Sequence, residues 1–79
     1  MNPRVLAVKA GRDYTLEILF ANQEWKVFDV KPHLDKGIFK ELNNIEVFAS
    51  VKVENGSISW IGGQDFCPDT LFVDGQKIY

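Results

Sequence analysis

The sequence predicts a single α+β domain, in which a mainly antiparallel sheet of about five short strands carries a short helical segment on one face. Three observations lead to this prediction. Apolar and polar residues alternate over most of the chain, an Asn-Gly pair marks a tight hairpin, and the apolar spacing changes only in the middle. The 79 residues, of which 46% are apolar and 13% aromatic, suffice for one small core and one domain, residues 1–79.

Alternation near the N-terminus predicts three strands, over residues 5–9, 14–20 and 24–30. The second and third strands form a hairpin, because Asn22 between them tolerates a positive φ. Trp25 and Phe28 point to opposite faces of the third strand, so each face of the sheet carries an aromatic ring. We therefore expect one of these two rings to be exposed.

The middle of the chain is predicted to be helical. Pro32 cannot donate a hydrogen bond to a ladder, so it ends the third strand and starts a single helical turn between Asp29 and Lys36. Beyond this turn, Asn44 is placed to cap another one. A spacing of about three residues predicts helical turns over residues 38–49, packed on the sheet. The residues with this spacing are Phe39, Leu42, Ile45 and Phe48.

The second half of the chain returns to strands, over residues 51–54 and 57–60. Asn55-Gly56 between them is the strongest hairpin signal of the sequence. Gly62-Gly63 predicts a reversal after Trp60, because glycine adopts a positive φ without a steric penalty. Residues 65–73 close the fold, and residues 75–79 are expected to fray.

The predicted core combines the inward positions of the strands with the apolar stripe of the helical segment. Aromatic rings supply much of the burial, since each removes roughly 150–250 Å² from water. The predicted core residues are Val5, Leu16, Ile18, Phe20, Val27, Phe39, Leu42, Phe48, Val51, Val53, Ile58 and Leu71.

Composition narrows the possible functions. The formal net charge of -2 argues against nucleic acid as a partner. Cys67 is the only cysteine, which excludes an internal disulfide and a CxxC metal knuckle, and neither a metal site nor a cofactor is indicated. No apolar run approaches the roughly 18–20 residues that cross a bilayer. The residues after Met1 do not resemble an export signal, so we expect a cytoplasmic protein without membrane contact.

Four short motifs follow one another along the chain. They are Asp-x-x-Pro-x-Leu from Asp29, Phe-x-x-Leu from Phe39, Gly-x-Ile-x-Trp ending at Trp60, and Asp-x-x-Pro-Asp-x-Leu from Asp65. In this order and spacing, the sequence between Val5 and Phe72 resembles the bacterial domain-of-unknown-function family numbered 2442. The corner pattern of that family, Trp-Pro-Asn-Gly-x-Asp, is matched at Trp60, Gly63 and Asp65 but not at the Pro and Asn.

The resemblance implies a small α+β domain encoded beside a second family of unknown function, numbered 4160, in pairs of the toxin–antitoxin type. The leading prediction is therefore a non-enzymatic protein-binding module similar to the antitoxin-side member of such a pair. It would cover the working surface of a small partner protein with an open sheet edge or with the corner, and a homo-oligomer is a second possibility. The residues predicted to bind are Trp60, Gly63, Asp65, Pro68, Asp69 and Trp25.

An alternative prediction is a small enzyme or ligand-binding domain at the same corner. Asp65 and Asp69 have the chemistry for acid–base work or for a hard cation, although both also suit the capping of backbone amides. Cys67 is a candidate nucleophile only if His33 lies beside it. The simpler interpretation, which we adopt, is a buried structural thiol and a surface histidine.

A nucleic-acid-associated regulator is the third and most distant alternative. Four lysines, which would supply its basic face, lie at Lys26, Lys31, Lys36 and Lys40. The C-terminal part is acidic instead, and such asymmetry can orient a partner protein. An ordinary solvated surface explains the same charges more simply.

Overall fold

The computed structural model describes residues 2–78, and in this part of the chain seven short strands form two antiparallel sheets. The first sheet has the order β1-β2-β3-β7, from β1 (Val5–Ala10), β2 (Thr15–Phe20), β3 (Trp25–Asp29) and β7 (Gln76–Lys77). The second has the order β4-β5-β6, from β4 (Lys52–Glu54), β5 (Ser57–Ser59) and β6 (Asp65–Phe66). The α+β class is thereby confirmed, but two small sheets replace one of about five strands.

The division into two sheets has a local cause. After β3 the chain enters a 3-10 turn, Lys31–His33, with Pro32 in its first positions, so the ladder cannot continue into β4. The hairpin of β4 and β5 instead pairs with β6 and lies against β1. The backbone N–H of Val5 donates to the carbonyl oxygen of Gly56 at 2.9 Å, which joins the two sheets at this edge.

The helical middle of the chain is confirmed in outline. It consists of a 3-10 helix, Gly37–Asn43, followed by α1, Ile45–Phe48. An apolar spacing of about three residues is the period of a 3-10 helix. Leu42 in the 3-10 helix and Phe48 in α1 are both completely buried. Asn44 caps α1 as predicted, because its side chain accepts a hydrogen bond from the N–H of Glu46 at 3.0 Å.

The turns agree with the sequence in position and differ in detail. Asn55 and Gly56 both have positive φ, 53° and 77°, as the predicted two-residue hairpin turn requires. In the first hairpin the positive φ, 71°, belongs to Gln23 and not to Asn22. The Asn22 side chain instead accepts a hydrogen bond from the N–H of Glu24 at 3.1 Å, which is an Asx-turn.

The C-terminal segment contains a helix that the sequence analysis did not predict. This helix, α2, covers Pro68–Asp74 and buries Leu71. Residues 76–77 then form β7 on the edge of β3, and the N–H of Ile78 donates to the carbonyl oxygen of Trp25 at 3.0 Å. This segment is therefore held by the sheet where fraying was expected, and Tyr79 lies outside the described residues.

The core lies between the inner face of the first sheet, the second sheet and the helical segments. Eight predicted core residues are buried: Val5, Leu16, Ile18, Phe20, Leu42, Phe48, Ile58 and Leu71. Five further ones complete the core: Phe28, Val30, Leu34, Trp60 and Phe66. Phe39 and Val51 pack against it from partly buried positions.

Two core predictions are wrong. Val53 is 38% exposed, because β4 is an edge strand whose residues all face solvent. Val27 is only half-buried, because Phe28 is the β3 residue that points into the core. Phe28 pairs across the ladder with Leu16, which is also buried, so the two lie on the same face.

Candidate functional site

Trp60 is the centre of the predicted corner, and it is a core residue. Its side chain is 2% exposed, stacks on Phe48 at a ring-centroid distance of 6.1 Å and meets Phe66 edge-to-face at 6.0 Å. Its indole Nε1–H donates to the carbonyl oxygen of Phe48 at 2.9 Å. Trp60 therefore stabilises the corner from the core side. It is too buried to be a surface anchor for a partner.

Trp25 lies in the opposite environment, on the outer face of the first sheet. The register pairs it with Leu19, which in turn pairs with Ala7, so these three side chains form one row across β3, β2 and β1. All three are half-buried, yet none belongs to the core or packs against it. Val27 lies on the same face, and Leu6 beside Ala7 is 54% exposed.

We call this surface the outer face and define it by four residues, Ala7, Leu19, Trp25 and Val27. The exposed Leu6 precedes Ala7 at the register shift of β1. The polar neighbour of the outer face is the pair of Lys9 and Glu17, which stand opposite each other in the next row of the ladder. The sequence analysis missed Leu19 as a candidate binding residue. Leu19 gave a usable signal, because it places an apolar side chain at a position of β2 whose alternation calls for a polar one.

The two aspartates of the predicted corner are exposed and have different surroundings. Asp65 is on β6 and lines a cavity of about 250 Å³ on the surface of the second sheet. Asp69 is in the first turn of α2, where its Oδ1 accepts a hydrogen bond from Nδ2 of Asn2 at 3.2 Å, and it does not line that cavity. Among residues 2–78, no three metal-ligating side chains form a group that could hold an ion.

Cys67 is exposed, so the prediction of a buried thiol is wrong. It is the N-cap of α2, and its Sγ accepts a hydrogen bond from the N–H of Thr70 at 3.5 Å and lies 3.2 Å from Oγ1 of the same residue. The hydroxyl group of Thr70 is the main cause that lowers the pKa of the Cys67 thiol below its ordinary value. Asp69 opposes this shift by like-charge repulsion with the thiolate.

His33 is not the surface residue that we expected. Its imidazole is half-buried between three phenylalanine rings, at centroid distances of 5.8 Å from Phe28, 5.1 Å from Phe66 and 6.3 Å from Phe39. The hydrogen-bonding partner of Cys67 is Thr70, so the dyad of Cys67 and His33 is not formed.

Two of the four lysines of the basic segment are engaged within the molecule. Lys26 donates to the carbonyl oxygen of Phe72 at 2.5 Å, and its Nζ lies 3.7 Å from the centroid of the Phe72 ring. Lys31 forms an ion pair with Asp29 at 3.1 Å. The segment therefore does not present four free cations to a polyanion, which weakens the nucleic-acid alternative.

Gly62 and Gly63 form the reversal at the corner for two different reasons. Gly63 has φ 91°, whereas Gly62 lies against two side-chain ends: a Cβ there would be 2.7 Å from Oε1 of Gln64 and 2.9 Å from Nε2 of Gln64 and Oε2 of Glu41, so these side chains would have to shift. The turn is closed by two backbone hydrogen bonds, from Gly63 N–H to Trp60 O at 3.0 Å and from Trp60 N–H to Gln64 O at 2.9 Å. Gln64 and Glu41, which the sequence analysis did not select, are thus part of the corner.

The family model for a protein of unknown function, DUF2442, matches residues 5–76, which is nearly the whole of the chain. The chain belongs to the DUF2442 family. This confirms the resemblance given by the motifs from Asp29 to Asp65. No curated protein and no solved structure matches the chain. In the described part of this DUF2442 domain, no helix is long and apolar enough to cross a membrane.

Proposed function

We propose that this DUF2442 domain is a non-enzymatic protein-binding module that contacts its partner with the outer face. The observation that carries the proposal is the row of Ala7, Leu19 and Trp25, which is apolar, half-buried and separate from the core. Apolar side chains that are aligned on one sheet face, outside the core and only partly covered by the rest of the molecule, are typical of an interaction surface. Trp is also the side chain most enriched among binding hot spots.

The composition of the outer face indicates the chemistry of the partner. The apolar row is bordered by Lys9 and Glu17, one charge of each sign, as in interfaces with an apolar centre and a polar rim. A second small protein that presents an apolar patch with charged borders fits this arrangement. Binding to the outer face would cover the working surface of that partner; the sequence analysis expected the same masking from an open sheet edge or from the corner.

The biological setting is part of the proposal. We propose that the domain acts in the bacterial cytoplasm as the antitoxin-side member of a two-gene pair, with a neighbouring gene encoding the small partner. The family resemblance of the sequence supports this setting. The nearly balanced charge, -2 over 79 residues, is compatible with a protein partner and gives no support to a nucleic-acid partner.

The test compares three variants in one capture experiment. The tagged wild-type domain, Leu19→Ser, Trp25→Ser and the control Val73→Ser are incubated with the same lysate of the source organism, and retained proteins are quantified by mass spectrometry. Val73 is an exposed apolar residue on α2, outside the outer face, so its replacement removes apolar surface elsewhere on the molecule. We expect one small protein that wild type and Val73→Ser retain equally and that both outer-face variants lose, at unchanged melting temperature.

Two results would overturn the proposal. The first is retention of the same partner by all four proteins, which would place the interface elsewhere. The second is a concentration-dependent dimer of the purified wild-type domain in sedimentation that Leu19→Ser abolishes. In that case the outer face joins two copies of this chain and is not free to mask a partner.

A second candidate function is supported by the cavity of about 250 Å³ on the second sheet. It is lined by Asp65 and by Cys67, whose thiol has a lowered pKa. A small ligand-binding domain or enzyme at this place would use the thiolate as a nucleophile. Asp69, the third residue of the original hypothesis, is outside this cavity. Under this alternative, some small ligand protects Cys67 from alkylation. Cys67→Ala should abolish binding of that ligand or activity on it, whereas Leu19→Ser should leave the binding or activity unchanged.

A further inference from the structure

The apolar row on the outer face continues beyond Trp25 onto the last strand. The ladder of β3 and β7 pairs Lys26 with Lys77. One residue further along, the same register places Ile78 opposite Trp25, and the N–H of Ile78 donates to the carbonyl oxygen of Trp25 at 3.0 Å. Opposite residues of a ladder share one face of the sheet, so Ile78, which is 41% exposed, lies beside Trp25 on the solvent side.

We call this extended row the apolar stripe. It takes one side chain from each strand of the first sheet: Ala7, Leu19, Trp25 and Ile78. None of the four packs against the core. The stripe is narrow, because the next row along the strands is polar except for Val27, and its other members are Lys9, Glu17 and Gln76. On the other side, the turn of residues 21–23 is exposed and uncharged.

The spacing of the apolar stripe favours a helix as its ligand. Neighbouring strands lie about 4.8 Å apart, so the four side chains span about 14 Å. A helix presents an apolar side chain on one face about every 5.4 Å, whereas a strand presents one on each face only about every 6.7 Å. An amphipathic helix of about ten residues is about 15 Å long and has one apolar stripe between polar borders, which is the same form.

A cavity at the border of the outer face indicates the charge of this helix. It has a volume of about 280 Å³, and its lining residues are Thr15, Val27, Asp29, Asp74 and Gln76. Asp29 forms an ion pair with Lys31, but Asp74 forms none among residues 2–78. A lysine or arginine side chain is complementary to this cavity, because its aliphatic stem packs on Val27 while its cationic group pairs with Asp74.

We propose that the apolar stripe binds an amphipathic helix of the partner protein, and that a lysine or arginine on the flank of this helix enters the cavity and pairs with Asp74. The helix covers the open face of the first sheet, as helices cover sheet faces in layered domains. This inference rests on the proposed binding function, which assigns the outer face to a partner. It adds Ile78 and Asp74 to the interface and names the kind of segment that binds.

The experiment is a selection from a displayed library of random peptides of about 15 residues, with the full chain as bait. Peptides are kept when they bind wild type and do not bind Trp25→Ser, so that only ligands of the outer face remain. We expect apolar residues at i, i+3, i+4 and i+7 in these peptides, with Lys or Arg on one flank. A synthetic peptide from the selection should gain helical circular dichroism when the domain is added.

Variants of the domain then test Ile78 and Asp74 separately, with the melting temperature of each as a check on folding. Ile78→Ser should weaken binding of a selected peptide about tenfold, whereas Val73→Ser, at an exposed position of α2, should leave it unchanged. Asp74→Asn should weaken binding about threefold, and Asp69→Asn, an exposed acid in the first turn of α2, should not. Asp74→Asn should not destabilise the domain, because an acid in the last turn of a helix is unfavourable.

The results that would overturn this inference differ from those that would overturn the proposed function. Selected peptides whose apolar residues alternate with a period of two would make the ligand a strand. Unchanged binding in Ile78→Ser would end the surface at Trp25, and unchanged binding in Asp74→Asn would remove the ion pair. In each of these cases the outer face remains a binding surface. If no peptide distinguishes wild type from Trp25→Ser, the proposed function fails together with this inference.

Discussion

The indole N–H of Trp60 donates to the carbonyl oxygen of Phe48 across 2.9 Å, and this bond connects the end of α1 to the strand reversal of the second sheet. Trp60→Phe keeps the aromatic packing and removes this donor, so the buried carbonyl oxygen of Phe48 keeps only the longer hydrogen bond from the N–H of Val51, at 3.4 Å. We expect a loss of about 0.5–1.5 kcal/mol in the free energy of unfolding, measured by urea denaturation. Trp25→Phe is the control and should change stability by less than about 0.5 kcal/mol.

Lys26 stabilises the C-terminal end of α2. Its ammonium group donates to the carbonyl oxygen of Phe72, in the last turn of the helix, and lies over the Phe72 ring. Lys26→Met keeps the aliphatic stem and removes the charge, and we expect a destabilisation of about 1 kcal/mol. Hydrogen exchange of the backbone amides of α2 should accelerate more than that of the backbone amides of β2. Lys40→Met, at an exposed position, should leave the free energy of unfolding almost unchanged. An equal loss of stability in both variants would contradict the role given to Lys26.

Asp13 should make stability depend on pH. The hydroxyl group of Thr15 donates to its carboxylate at 2.6 Å and is the main cause that lowers the pKa of Asp13 below 3.8. Because the folded state favours the ionised form, this contribution is fully present above pH 3.8 and is lost as pH falls through the lowered value.

The measurement for Asp13 is the melting temperature of wild type and Asp13→Asn as a function of pH. The difference should be largest near neutrality and should shrink below pH 3.8. In a Thr15→Val background the difference should be smaller at every pH, since the donor is missing. A difference that persists unchanged at low pH would show that the substitution acts through something other than charge.

The reactivity of the Cys67 thiol should depend on the hydroxyl group of Thr70. The alkylation rate of the thiol, followed against pH, is expected to have its midpoint below 9.0 because the pKa of Cys67 is lowered. Thr70→Val should raise this midpoint. Asp69→Asn should lower it further, because the Asp69 carboxylate disfavours the thiolate. Shifts of the same sign in both variants would be incompatible with these two causes.

Much of the fold could be predicted from single residues. Local backbone chemistry, which the residue type alone determines, explains the turn at Asn55-Gly56, the cap at Asn44 and the end of β3 before Pro32. The helix α2 was missed, although Pro68 at its first positions is such a signal. Cys67 is an uncommon N-cap, and strand residues precede it directly.

The candidate site was harder to predict, because it depends on which side chains share a face. Val27 was chosen for the core over Phe28, and this reversed the two faces of β3 and concealed the row that contains Trp25. Glu41 of the 3-10 helix and Gln64 of the strand reversal both lie beside Gly62, although they are far apart in the chain. No periodicity or motif of the sequence predicts such a proximity.

The two tryptophans, one in the core and one on the outer face, give this protein two separate optical reporters. Emission from Trp60 should be short in wavelength and shielded from acrylamide, and it should change only when the domain unfolds. Emission from Trp25 should be open to the quencher and should change when the outer face is covered. Trp25→Phe and Trp60→Phe each leave a single fluorophore, so docking and denaturation can be followed independently in one cuvette without any added label.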